Sequence, residues 1–282
     1  MQYKAKTIIF SDLDSTLLRS NHYFSKKTKE IIEVLYKQGI YFVPITARAT
    51  SDLLVQAKRL GIKKMGGIAI ANNGSQIYDF KNKTWVLNEY IPADIVQEIF
   101  EENYSEIDEK RLAKIHFYSD DSTFVFNEGK NSLYWAQMMA SDYIVAHSYE
   151  EMDAAITHLT IVLRKDTTLE NSKKFIDNLK SKYGDKTFIQ VYTDRVIEIG
   201  PKNINKGYGV QKVKDYLGID ESVTVYGFGD GYNDLSLFDA VDIGVAMENA
   251  ASELKAIADD QTKYNNDNDG VAQYIIEKIL KK

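Results

Sequence analysis

Two carboxylates one residue apart, Asp12 and Asp14, close the short apolar run Thr7-Ile8-Ile9-Phe10-Ser11 and are followed by the hydroxyls of Ser15 and Thr16. Acids this close repel each other unless something positive lies between them. Two more acids, Asp230 and Asp234, flank Asn233 after the glycine-rich turn Gly227-Phe228-Gly229. No His or Cys stands in these motifs, and hard oxygen ligands alone select Mg²⁺ over zinc. Thr46 adds a hydroxyl, Asn233 an amide, and Lys206 a cation just before a helix. Such groups suit an anionic, oxygen-rich substrate such as a phosphate ester.

These residues need a scaffold that brings distant positions together. Residues 7–10 read as a buried strand of a parallel sheet, because a short β-branched run between polar flanks can be covered on both faces. Ser25 to Gly39 has Ile31, Ile32, Leu35 and Tyr36 at helical spacing, with Ser25 as N-cap and Gly39 as stop. A second strand over 40–45 runs into Thr46-Ala47-Arg48, a helix covers 51–60, and a third strand over 68–71 precedes Asn72-Asn73-Gly74. This β-α-β-α-β order predicts an α/β, doubly wound, Rossmann-like parallel sheet. In such sheets the functional groups gather beyond the carboxyl ends of the strands.

The rhythm changes between. Hairpins are expected over 76–87 and 114–127, helices over 92–104, 131–140 and 169–183, and strands over 158–164, 187–192 and 196–199. Strand pairs separated by helices predict an α+β insert with an antiparallel sheet. After Pro201 the β-α alternation resumes: a helix over 205–217, strands over 223–226 and 243–246, and helices over 235–240, 250–258 and 271–280. The expected organisation is a core from residues 1–82 and 200–282 interrupted by a second domain over 83–199. Asn265 to Asp269 (NNDND) stands out only as a polar loop.

Composition narrows the function classes. The 282 residues are 44% hydrophobic and 27% charged, and 35 basic against 41 acidic side chains leave a net charge of −6. That balance offers no clustered positive surface for nucleic acid or anionic membrane. Cysteine is absent, which excludes disulfides and thiolate metal sites and is compatible with a reducing compartment. No apolar stretch reaches the ~20 residues of a membrane span. A cytoplasmic monomer or homodimer acting on a small molecule is the expectation.

The motifs together resemble the haloacid dehalogenase (HAD) superfamily, and within it the Cof-type phosphatases with a C2-type (IIB) cap between the second and third motifs. The resemblance rests on Asp12-Leu13-Asp14-Ser15-Thr16-Leu17, Thr46-Ala47-Arg48, Lys206-Gly207 and Gly229-Asp230-Gly231-Tyr232-Asn233-Asp234, in the family's order. It implies that Asp12 is a nucleophile forming an aspartyl-phosphate and that Asp14 is the proton donor and acceptor. It implies Mg²⁺ held by Asp12, the Asp14 carbonyl and Asp230, with Asp234 at its edge. Thr46, Lys206, Asn233 and backbone N–H groups near Leu13 and Ala47 would hold the phosphoryl oxygens. The family usually has Gly at the positions of Ser15 and Ala47, and Ser15 falls in a turn where Gly eases unusual dihedrals.

Plainer roles compete with some of these. Lys206 alone reads as a solvated lysine at a helix start, Asp234 as an acid complementing a helix dipole, and Arg48 as a structural partner for an acid. The four histidines share no ligand spacing. Alternatives to hydrolysis are a phosphomutase or phosphotransferase, and a phosphometabolite-binding protein without catalysis.

Overall fold

The computed structural model describes residues 6–103, 113–126 and 143–281. The chain divides into two compact units. One is Met1–Arg48, Leu53–Leu87 and Asn205–Lys282; the other is Ala49–Asp52 and Asn88–Ile204.

The first unit is built on a parallel sheet in the order β14 (Asp260–Gln261), β13 (Ile243–Ala246), β12 (Thr224–Gly229), β1 (Thr7–Ser11), β2 (Phe42–Pro44). The central place of β1 follows from its sequence. Ile8, Ile9 and Phe10 are fully buried, so the strand needs cover on both faces and neighbours on both edges. A parallel bridge from Ile45 to Ile70 carries the layer on to β3 (Ile68–Ala71), which pairs antiparallel with β4 (Gln76–Asp79). β5 (Thr84–Asn88) completes that smaller sheet.

The flanking helices start and stop where local chemistry directs. Ser25 accepts a hydrogen bond from the N–H of Thr28 at the head of Lys26–Lys37, which buries Ile32 and Leu35. Asn205 caps Lys206–Leu217 by accepting from the N–H of Tyr208, and Gly218 ends it in the left-handed conformation. Both are ordinary capping solutions for orphaned backbone groups. The expected helix over 271–280 forms as an α-helical Gly270–Tyr274 continued by a wider π-type turn over Ile275–Ile279, closed by Leu280 N–H to the Ile275 carbonyl.

The second unit carries a six-stranded sheet in the order β10 (Thr187–Val191), β11 (Val196–Pro201), β9 (His158–Leu163), β6 (Ala113–Tyr118), β7 (Thr123–Phe126), β8 (Ile144–Ala146). One face, with Phe117, Phe124, Leu159, Ile161, Ile197 and Ile199, shares a core with the helices Ala93–Asn103 and Leu169–Tyr183 through Ile95, Ile99, Leu179 and Tyr183. The alternate positions His116, Thr123, His158, Thr160 and Glu198 are polar and buried, and Tyr118 is buried on the same face. The sheet is antiparallel except at its edge, where β8 pairs parallel with β7. The expected helix over 131–140 lies outside the described residues. Among the described residues no helix is long and apolar enough to cross a membrane.

Candidate active site

Three parallel strands deliver the predicted residues to one edge. Ser11 of β1 is in register with Phe228 of β12 and with Pro44 of β2. Asp12 therefore emerges one residue beyond that line, and Asp230 and Thr46 two residues beyond it on either side. The Asp12 N–H donates to the Phe228 carbonyl, and the Ile45 N–H to the Ser11 carbonyl, so the ladder holds up to the point where the acids begin.

Lys206 is the surprise of the site. Far from a solvated side chain, it is wholly buried, with Nζ 2.5 Å from Asp12 Oδ1 and 2.6 Å from Asp234 Oδ1. Close packing lets it reach there: a Cβ on Gly207 would stand 2.3 Å from the Ser236 carbonyl oxygen. Burial disfavours the lysine's charge, yet Asp12 and Asp234 outweigh it and raise its pKa, so Lys206 is an ammonium. The other oxygen of Asp234, Oδ2, accepts from the N–H groups of Asp230 (2.9 Å) and Gly231 (3.0 Å). Asp234 thus has three donors on its two oxygens. It holds Lys206 on one side and shapes the Asp230 loop on the other, and a Cβ on Gly229 would collide with it at 2.5 Å.

Asp14 faces a different partner. Arg48 grips it with a two-pronged contact, Nε to Oδ2 at 2.7 Å and Nη2 to Oδ1 at 2.5 Å. The Arg48 side chain is 8% exposed and that of Asp14 40%. The turn between Asp14 and Thr16 contains Ser15 at φ 56°, the left-handed conformation expected to favour Gly. Thr16 Oγ1 donates to Asp230 Oδ1 at 2.9 Å and links the first acid loop to the second.

The remaining predicted residues line the same edge. The Thr46 hydroxyl is buried and accepts from the Arg48 N–H. Asn233 Nδ2 donates to Asn73 Oδ1 at 3.3 Å, and the Asn73 N–H donates to the Thr46 carbonyl. Leu13 sends its side chain into the core, leaving only its backbone for a ligand, and Ala47 is half-buried in the Thr46 loop. Sequence reasoning assigned no role to Asn73; its only signal was its place just after a buried strand.

Asp12, Asp230 and Asp234 each offer a carboxylate oxygen, all within 4.8 Å of one another. Burial pushes the Asp12 carboxyl well above the usual range against the pull of Lys206, with Asp234, Asp230 and Asp14 adding to the rise. Burial, then Asp234, pushes Asp230 up to about 6, with the Thr16 hydrogen bond opposing. With all four acids ionised they would outnumber Lys206 and Arg48 by two charges, an excess that one divalent cation cancels. Oxygen-only donors and an excess of two negative charges fit a hard divalent ion.

Residues 9–275 match the family model described as haloacid dehalogenase-like hydrolase. The chain belongs to this family, in its Cof-type branch of phosphatases. A relative from Haemophilus influenzae, provisionally named a phosphatase, is 28% identical over 279 residues and 99% of each chain. The crystal structure of TM0651 from Thermotoga maritima superposes with a TM-score of 0.79 at 27% identity, covering 98% of each chain. A haloacid dehalogenase-like hydrolase from Bacteroides thetaiotaomicron has a TM-score of 0.77 at 24% identity, over 96% of this chain and 99% of the other. The latter likeness is one of fold.

Proposed function

We propose that the protein is a Mg²⁺-dependent phosphomonoesterase that transfers the phosphoryl group of a small metabolite to Asp12 and then to water. The observation that carries this reading is Asp12 itself: buried at the carboxyl end of the central strand, with one oxygen on a buried ammonium and two more acids beside it. A carboxylate so placed serves as a covalent catalyst.

In the first step a bond forms between an Asp12 oxygen and phosphorus while the bond from phosphorus to the leaving alkoxide breaks. Asp14 supplies the alkoxide's proton and later takes one from the attacking water. Its partial exposure allows exchange with solvent, and the Arg48 fork fixes where the carboxylate points. Lys206 orients Asp12 and offsets charge as the phosphoryl group arrives. Thr46, Asn233 and the backbone near Leu13 and Ala47 hold the phosphoryl oxygens. Asp12, Asp230 and the Asp14 carbonyl would hold Mg²⁺, with Asp234 behind them engaged by Lys206 and the loop. When bound, the ion neutralises phosphoryl charge, which is most of what this chemistry asks of a protein.

Sugar phosphates are the first substrate class to try, because a solved sugar phosphatase of HAD subclass IIB shares the fold with a TM-score of 0.78 at 20% identity. A cytoplasmic location belongs to the same proposal, and the cysteine-free composition is compatible with a reducing compartment. The test is a panel of phosphorylated metabolites with Mg²⁺ or a chelator, scored for free phosphate and for isomers. Metal-dependent phosphate release is expected; isomer formation without release would overturn hydrolysis.

A further inference from the structure

The polar loop at residues 265–269 has no part in the chemistry above, yet it and the loop after β13 touch the catalytic turn at several points. Asn249 Nδ2 donates to the Ser15 carbonyl at 2.7 Å. Asn249 Oδ1 accepts from the Asn266 N–H at 3.1 Å, and Asn266 Nδ2 donates to the Leu18 carbonyl at 2.9 Å. Two asparagines in relay therefore hold both ends of the turn that follows Asp14. Just beyond it, Arg19 pairs with both oxygens of Asp269, and Ser20 gives its N–H and hydroxyl to Asp267. The loop bearing Asn249 also reaches the second acid: the Ala251 N–H donates to the Asp230 carbonyl at 2.9 Å.

Ser15 makes this relay consequential. A non-glycine residue at φ 56° is held in a disfavoured conformation, and it persists only if its surroundings enforce it. The carbonyl that would swing away on relaxation is the one Asn249 grips. Asp14 is the preceding residue, so relaxation of Ser15 would turn the Asp14 carboxylate away from its position.

We infer that Asn249, backed by Asn266, is a positioning residue that holds Ser15 left-handed and so aims Asp14. This rests on the proposed phosphatase reading. Asn266 is buried, while Asn249 is exposed, so loss of its bond is a moderate effect.

The test is a pair of substitutions in two backgrounds. Asn249→Asp keeps the acceptor for the Asn266 N–H and removes the donor to Ser15; Asn249→Ala removes both. Either should lower kcat on an aryl phosphate roughly three- to tenfold with KM changed less than about twofold. In a Ser15→Gly background, where the left-handed conformation is free of strain, the same substitution should cost less than about twofold. Hydrogen exchange over residues 13–20 should quicken in the Ser15 background. Unchanged kcat with unchanged exchange, or an equal loss in both backgrounds, would overturn the inference. If the wild-type protein hydrolyses no phosphate ester, the proposed function fails, and the exchange measurement alone decides the positioning.

Discussion

Replacing Lys206 with methionine removes a charge while nearly preserving length and packing. The structure sets the size of the effect. The Lys206 side chain is wholly buried, with Nζ 2.5 and 2.6 Å from the carboxylates of Asp12 and Asp234, whose side chains are 8% and 1% exposed. Removing one partner of a buried ionic cluster leaves the others uncompensated, a loss of about 3–5 kcal/mol. At ~2–4 °C per kcal/mol for a domain of this size, the melting temperature should fall by roughly 6–20 °C. The loss should depend on pH. Without its ammonium, the Asp12 carboxyl lies still further above its unfolded value of ~3.9. A raised carboxyl binds its proton more tightly in the folded state, so its contribution is present at low pH and lost as pH rises through the folded pKa. Lys206→Met should therefore be less destabilised near about pH 5 than near pH 7.5. Adding Asp234→Asn, which removes one orphaned charge, should recover part of the loss. Thermal and urea denaturation followed by circular dichroism at both pH values measure these effects. A pH-independent loss below about 1 kcal/mol would refute the claim that Lys206 sustains a buried charge cluster.

Other parts of the site and fold make separate predictions. Arg48→Lys keeps the charge but loses the two-pronged grip on Asp14; kcat should fall roughly tenfold with little change in KM, and an unchanged kcat would remove Arg48 from catalysis. Thr16→Val deletes the donor to Asp230, so the Mg²⁺ concentration for half-maximal activity should rise roughly tenfold, as is usual for residues behind a metal ligand; an unchanged titration would count against Asp230 as a ligand. His158 is fully buried against Tyr118, and burial lowers its pKa to about 3. Because the unfolded value is ~6.5, the neutral ring's contribution is intact above that value and is lost as pH falls toward the folded one. Stability of the wild type should therefore drop by about 2–3 kcal/mol more than that of His158→Leu between about pH 7 and 4.5. Parallel pH profiles would disprove it.

How much of this was legible in the chain depends on the range of the signal. Ile8-Ile9-Phe10 announces a central strand because burial on both faces leaves an unbroken apolar run, and the acids at its end mark the reactive edge. Capping residues such as Ser25 and Asn205 carry their meaning within three positions, so the helices after them fall close to expectation. β8 is short, with Ile144 and Val145 exposed, and shows no periodicity to read. The burial of Lys206 depends on the close approach that Gly207 permits, a fact about packing with no sequence period. The sequence predicts that Arg48 pairs with an acid, but only the fold brings it to Asp14. The link from Asn249 to Ser15 joins residues 234 positions apart, and two asparagines in polar loops give no hint of it.

The central claim is that Asp12 becomes phosphorylated. Borohydride reduces an acyl phosphate to an alcohol, converting the modified aspartate to homoserine. Quenching turnover of an aryl phosphate with borohydride and mapping peptides by mass spectrometry should find homoserine at position 12 only when substrate and Mg²⁺ are both present. Phosphate release from wild-type protein with no modification at position 12, or full turnover by Asp12→Asn, would contradict the account.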